Sequence, residues 1–244
     1  METLDKLFRH CAQVNEDAIE EGYNEHILVV KNILKYPEKM FEFQKLLSKW
    51  ESRGNSKPGI GSLQLPYWTA NYIGEELIRQ LEDEDVFMAP NASTSEFYYF
   101  YHNNICLDAS IDTLISNNCV LPHTDPSDDG MCMIGLINLN NRPVRTGFWK
   151  YKGSLIEYDE EIAQDYTNYA ANINPSNYDE KVNNGILDKA FEVEYGYNDA
   201  IFYNARLFHN PVIDTYYTRE NPRVMMRLCF ILRFDEPQEE CYHE

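Results

Sequence analysis

Apolar positions in this chain change rhythm near its middle. The first ninety or so residues mix helical spacing with short continuous runs, whereas from Cys119 onward extended runs dominate. Leu4, Leu7, Phe8 and Cys11 recur at helical spacing and predict a short opening helix. Glu16 to Gly22 is acidic and reads as a link. The stretch from His26 to Leu34 is short and rich in β-branched residues, which favours a buried strand. Pro37 stands where a proline opens a helix, with Met40, Phe41, Leu47 and Trp50 as the apolar face of that helix. Ser52 to Gly61 carries Gly54, Pro58 and Gly59 and predicts a loop. Leu63 to Trp68 reads as extended, and Leu77, Ile78 and Leu81 mark another helix.

Strands follow at Phe97–Tyr101, Met131–Leu139, from Thr146 through Trp149, Asp199–Tyr203 and Arg223–Phe234. Ser154 to Lys189 interrupts this pattern with an acidic, tyrosine-bearing and partly helical segment. An insertion of that length in a β domain reads as a lid or a substrate-facing element. The tail after Asp235 is polar. The fold class expected is mainly β with flanking helices (α+β). Residues 1–244 form one domain, with helical support over about 1–90 and a β core over about 95–235 that carries the 154–189 insertion.

Composition narrows the function. The 244 residues are 43% apolar and 14% aromatic, enough for a substantial core. A net charge of −19, from 40 acidic against 21 basic residues, argues against a nucleic-acid groove and leaves a small molecule or peptide as the partner. The six cysteines are scattered without a C-x-x-C pair, the first residues lack the pattern of a secretory leader, and no apolar run reaches membrane-spanning length. The expectation is a reducing, cytoplasmic setting with free thiols and no membrane. Oligomeric state leaves no signature.

The chemistry gathers around His123-Thr124-Asp125. Residues two apart at a strand end point the same way. With the distal His209 they make two imidazoles and one carboxylate, a set that holds Fe(II) on one face and leaves the opposite positions open. Zn(II) suits the same three ligands, and no H-E-x-x-H helix is present to decide between them. Asp125 to Leu136 begins like a calcium loop, but its twelfth position is Leu136 rather than glutamate, which excludes that reading. On the last strand Arg223 and Arg227 share a face with Met225, Cys229 and Ile231, opposite Val224, Met226, Leu228 and Phe230. Guanidiniums aimed into a core need an anion, either the carboxylate of a bound acid or one of the chain's own Asp and Glu residues. Tyr195, Tyr197, Tyr203, Trp149 and Tyr158 are candidates to line an entrance, or to fill a sheet.

These segments together resemble the Fe(II)- and 2-oxoglutarate-dependent dioxygenases, prolyl-4-hydroxylase-like branch. Ile27 to Leu34 with the Pro37 helix is similar to the family's opening strand and helix. His123 to Gly130 running into Met131–Asn140 resembles its metal strand and the strand after it. Gly147-Phe148-Trp149, Asp199 to Val212 and Arg223-Val224-Met225 resemble its later strands. The resemblance spans roughly residues 26–50 and 95–235. It implies a double-stranded β-helix (jelly roll, cupin-like) packed by N-terminal helices. It implies His123, Asp125 and His209 as iron ligands, Arg223 as the grip on the 2-oxoglutarate C5 carboxylate, and supporting roles for Arg227 and Asn138. Some members have a tyrosine near Asn138, so asparagine there is a departure. The activity implied is oxygenation of a peptide, amino acid or small metabolite, consuming O2 and 2-oxoglutarate and releasing succinate and CO2. A cupin-like binding protein with a vestigial site is the non-enzymatic alternative.

Overall fold

The computed structural model describes residues 6–7, 10–11, 13–15, 17–24, 27–45, 50–52, 60–62, 92–103, 121–125, 131–155, 160–212 and 223–234. The expected extended stretch at 63–68, the helix at 77–81, Tyr158 and the tail after Asp235 lie outside these residues.

Two antiparallel sheets carry the chain. The strands are β1 (Ile19–Asn24), β2 (Ile27–Lys31), β3 (Trp50–Ser52), β4 (Ile60–Ser62), β5 (Ala92–Asn103), β6 (Met131–Asn138), β7 (Val144–Tyr151), β8 (Leu187–Tyr195), β9 (Ala200–Asn204), β10 (His209–Val212) and β11 (Arg223–Phe234). Eight of them pair in the order β1-β2-β9-β6-β11-β5-β4-β3, and three in the order β10-β7-β8. Three helices are described: α1 (Pro37–Lys45), α2 (Glu160–Ala170) and α3 (Tyr178–Lys181).

The sheets share one core. Ile27, Val29, Ile134, Leu136, Ile201, Tyr203 and Met225 come to it from the large sheet, and Val144, Phe148, Val193 and Tyr195 from the small one. Strand alternation accounts for this selection, since every second residue faces inward. The intervening Leu28, Val30, Ile137, Phe202, Val224, Met226 and Leu228 are buried too, so the inner strands of the large sheet are covered on both faces. That double burial explains why β2, β6, β9 and β11 read as continuous apolar runs.

Most expected elements are present, and the exceptions have physical reasons. The acidic Glu16–Gly22 link is in part β1, at the edge of the large sheet. An edge strand has one pairing neighbour and tolerates charge. The helix opened by Pro37 is described over Pro37–Lys45 and buries Met40 and Phe43; Leu47 lies outside the described residues, and Trp50 belongs to β3. The insertion ends sooner than its composition suggests, because Leu187–Tyr195 is β8. Its alternation is broken by a register shift against Phe148 and Trp149, which hides the strand from a period-two reading. Asn198, at φ 62°, takes the left-handed turn into β9, and its carboxamide bonds both the N–H and the C=O of Leu34. No helix among the described residues is long and apolar enough to cross a membrane.

Candidate metal centre

His209 is the first residue of β10, paired with Phe148 of β7. On its other side the chain carrying the H-x-D motif joins the sheet for one residue pair. The His123 N–H donates to the His209 carbonyl and the His209 N–H to the His123 carbonyl, each at 2.9 Å. Residues exchanging both bonds stand directly opposite, with side chains on one face. The two imidazoles accordingly lie 4.6 Å apart, centroid to centroid. Asp125 follows two residues on and faces the same way. Its N–H donates to the Ala205 carbonyl at 2.8 Å, which anchors the segment beyond the bridge.

The ring nitrogens are sorted by backbone carbonyls. Nδ1 of His123 lies 3.1 Å from the Leu121 carbonyl, and Nδ1 of His209 lies 2.9 Å from that of Leu207. A carbonyl only accepts, so both Nδ1 atoms carry the proton and both Nε2 atoms present lone pairs. A carboxylate of Asp125 completes the group. One ligand atom from each of the three residues lies within 4.8 Å of the others, and the Nε2 atom of His209 is 3.5 Å from Oδ2 of Asp125. Two imidazole lone pairs and a carboxylate converging in this way repel one another, and a cation held among them relieves the repulsion. The donor set therefore fits a divalent metal, and the carbonyl-bound Nδ1 atoms are the outer support such ligands need.

The protonation states agree with that fit. Burial, and then the neighbouring His209, push His123 down to about 4, so its imidazole is neutral at pH 7. Burial opposes ionisation of Asp125, yet the Arg227 guanidinium beside it favours the charged form, and the carboxyl lies well below the usual carboxylate range. Metal binding needs both conditions.

Of the two arginines, Arg227 reaches this group directly, with Nη2 2.5 Å from Oδ2 of Asp125. The acidic partner anticipated for it is thus the H-x-D aspartate itself. Arg223 sits at the start of β11, a strand flanked by β6 and β5, and is 2% exposed. Its Nη2 donates to the Tyr195 hydroxyl at a long 3.4 Å, its Nε–H has no acceptor, and no carboxylate pairs with it among the described residues. Thr146 Oγ1 lies 3.3 Å from the same hydroxyl. A buried cation this poorly matched is ready for an anion.

Asn138 is committed elsewhere. Its amide donates to the carbonyls of Arg142, Gly196 and Tyr195, and its oxygen accepts from the backbone and side chain of Asn140. It ties the turn after β6 to the turn after β8. Among the aromatic residues proposed for an entrance, Tyr195 and Tyr203 are buried in the shared core, Trp149 packs with Tyr151 and Phe208 in a separate cluster, and Tyr197 is exposed. Two tyrosines touch the site: the Tyr203 ring lies 4.7 Å from that of His209, and the hydroxyl of Tyr166 on α2 donates to the Pro122 carbonyl. The Tyr166 contact is with backbone, so no residue-type pattern near His123 announces it.

No protein-family model matches the chain, and no curated protein matches it significantly. Among solved structures, it is similar to the non-heme alpha ketoglutarate dependent epimerase SnoN from nogalamycin biosynthesis, at 13% identity and a TM-score of 0.47, covering 99% of this chain and 87% of that one. It is also similar to the carbocyclase SnoK from nogalamycin biosynthesis, at 8% identity and a TM-score of 0.43, covering 99% and 89%. The Fe(II)/(alpha)ketoglutarate-dependent dioxygenase TqaL aligns at 10% identity and a TM-score of 0.32, covering 98% and 77%. At these values none of them assigns the chain to a family.

Proposed function

We propose that this chain is an Fe(II)- and 2-oxoglutarate-dependent oxygenase on a double-stranded β-helix, acting on a peptide, amino acid or small metabolite. The observation that carries the reading is the convergence of two Nδ1-protonated imidazoles and one ionised carboxylate, a set that matches a facial iron site. His123, Asp125 and His209 hold the metal. Arg223, with the Tyr195 and Thr146 hydroxyls beside it, binds the distal carboxylate of 2-oxoglutarate through a guanidinium that burial has stripped of water. Arg227 keeps Asp125 ionised and oriented. Iron with 2-oxoglutarate and O2 supplies the oxidising power, releasing succinate and CO2, while the chain supplies ligands, orientation and a dry wall of Ile134, Leu136, Ile201 and Met225.

Anaerobic loading with Fe(II), followed by a succinate assay with and without 2-oxoglutarate and O2, tests this reading. The wild-type chain is expected to form succinate only with Fe(II) present, and Asp125→Ala to lose that turnover. Wild-type rates in Asp125→Ala, or turnover supported by Zn(II) alone, would overturn it.

A further inference from the structure

The inserted segment between β7 and β8 packs behind the metal ligands. Ile162, Tyr166, Tyr169 and Ala170 recur at helical spacing on α2, and that face joins Trp149, Tyr151, Val182, Leu187 and Phe208 in one apolar cluster. Tyr166 lies where this cluster meets both ligand-bearing segments. Its ring is 4.7 Å from that of Phe208, the residue before His209. Its hydroxyl donates to the carbonyl of Pro122, the residue before His123. Proline has no N–H, so that carbonyl is the one backbone group through which Pro122 can be held. Tyr166 is buried, and burial raises its hydroxyl above the ordinary phenol range, so it remains a donor at any pH the protein meets.

We infer that Tyr166 is a positioning residue for the metal centre, making α2 a brace beneath the site rather than a lid over it. The inference rests on the metal-binding reading. One side chain fixes the residue before each histidine, and the two histidines are further locked to each other by their paired backbone bonds. Tyr166→Phe keeps the ring and the apolar packing. It leaves the carbonyl of Pro122, just before the His123–Asp125 segment, without its donor, which frees that segment to shift relative to His209. Outer contacts that orient ligands typically carry a ten- to hundredfold share of metal affinity.

The test is Co(II) titration of the full chain, followed by its visible ligand-field spectrum. Tyr169→Phe is the control. Its hydroxyl bonds the Lys181 carbonyl inside the insertion and touches neither ligand segment. Tyr166→Phe is expected to raise the Co(II) Kd about tenfold and alter the spectrum, with Tyr169→Phe unchanged in both. A Tyr166→Phe protein with wild-type Kd and spectrum overturns the inference, even if its Tm falls. Failure of the wild-type chain to bind Co(II) would instead sink the metal reading beneath it. Should Tyr166→Phe not fold, hydrogen exchange on the wild-type chain decides. Metal is expected to slow exchange across 160–170 together with 121–125, because coupling between sites is reciprocal. Protection confined to 121–125 and 207–212 overturns the inference.

Discussion

The Nη2 atom of Arg227 lies 2.5 Å from Oδ2 of Asp125, joining the fifth residue of β11 to the carboxylate of the H-x-D motif. Burial works against an ionised Asp125, while the Arg227 guanidinium favours the charge. Replacing the guanidinium by an apolar chain, Arg227→Met, removes one of the effects that hold the Asp125 carboxyl down. Protons then compete with metal at higher pH. The curve of Mn(II) affinity against pH is expected to move its acid limb upward in Arg227→Met, measured by calorimetry between pH 5 and 8. An unmoved limb refutes the role.

Arg223 carries a different expectation. Its guanidinium is buried with one long hydrogen bond and an Nε–H lacking an acceptor, so it adds little to stability without a bound anion. Arg223→Met is expected to leave the Tm equal or raised, since apolar replacements of poorly compensated buried charges are often neutral or stabilising. The same change is expected to weaken N-oxalylglycine binding in the presence of Mn(II) by roughly 100-fold, in line with the loss of a charge-assisted pair of about 2–3 kcal/mol. Mn(II) binding by itself should persist.

Gly147 tests the wall behind His209. A Cβ there would stand 2.7 Å from Oδ1 of Asn210, the atom that accepts the Trp149 indole N–H, also at 2.7 Å. The backbone of Asn210 is held opposite Gly147 by strand pairing, so the side chains must give way. Gly147→Ala is expected to cost about 1–3 kcal/mol through the broken buried bond, read from the urea midpoint.

Metal-free stability should fall in acid, and the sign follows from His123. Its folded value of about 4 is below the ordinary imidazole value of 6.5, so between them the unfolded chain binds a proton that the native site refuses. The stabilisation is present above about pH 6.5 and fades as pH falls towards 4, a loss on the order of 3 kcal/mol. Asp125, shifted the same way, extends the loss to lower pH. Urea unfolding of the apo protein at pH 7.5 and 4.5 measures the difference, and His123→Gln should flatten it.

Local periodicity was enough to place β2, β6, β9 and β11, because strands covered on both faces or alternating inward announce themselves in the order of their own residues. The i, i+2 relation of His123 and Asp125, and the shared face of Arg223, Met225 and Arg227, are likewise properties of one extended segment, readable before any folding. Tertiary structure alone decided that His123 pairs across to His209, that Arg227 answers Asp125, that Asn138 serves two turns, and that Tyr166 reaches Pro122. A strand's face is set by its own alternation, but which residue it meets depends on register and on backbone groups far along the chain. The bulge that conceals β8 and the carbonyls that sort the imidazole nitrogens leave no mark in residue type.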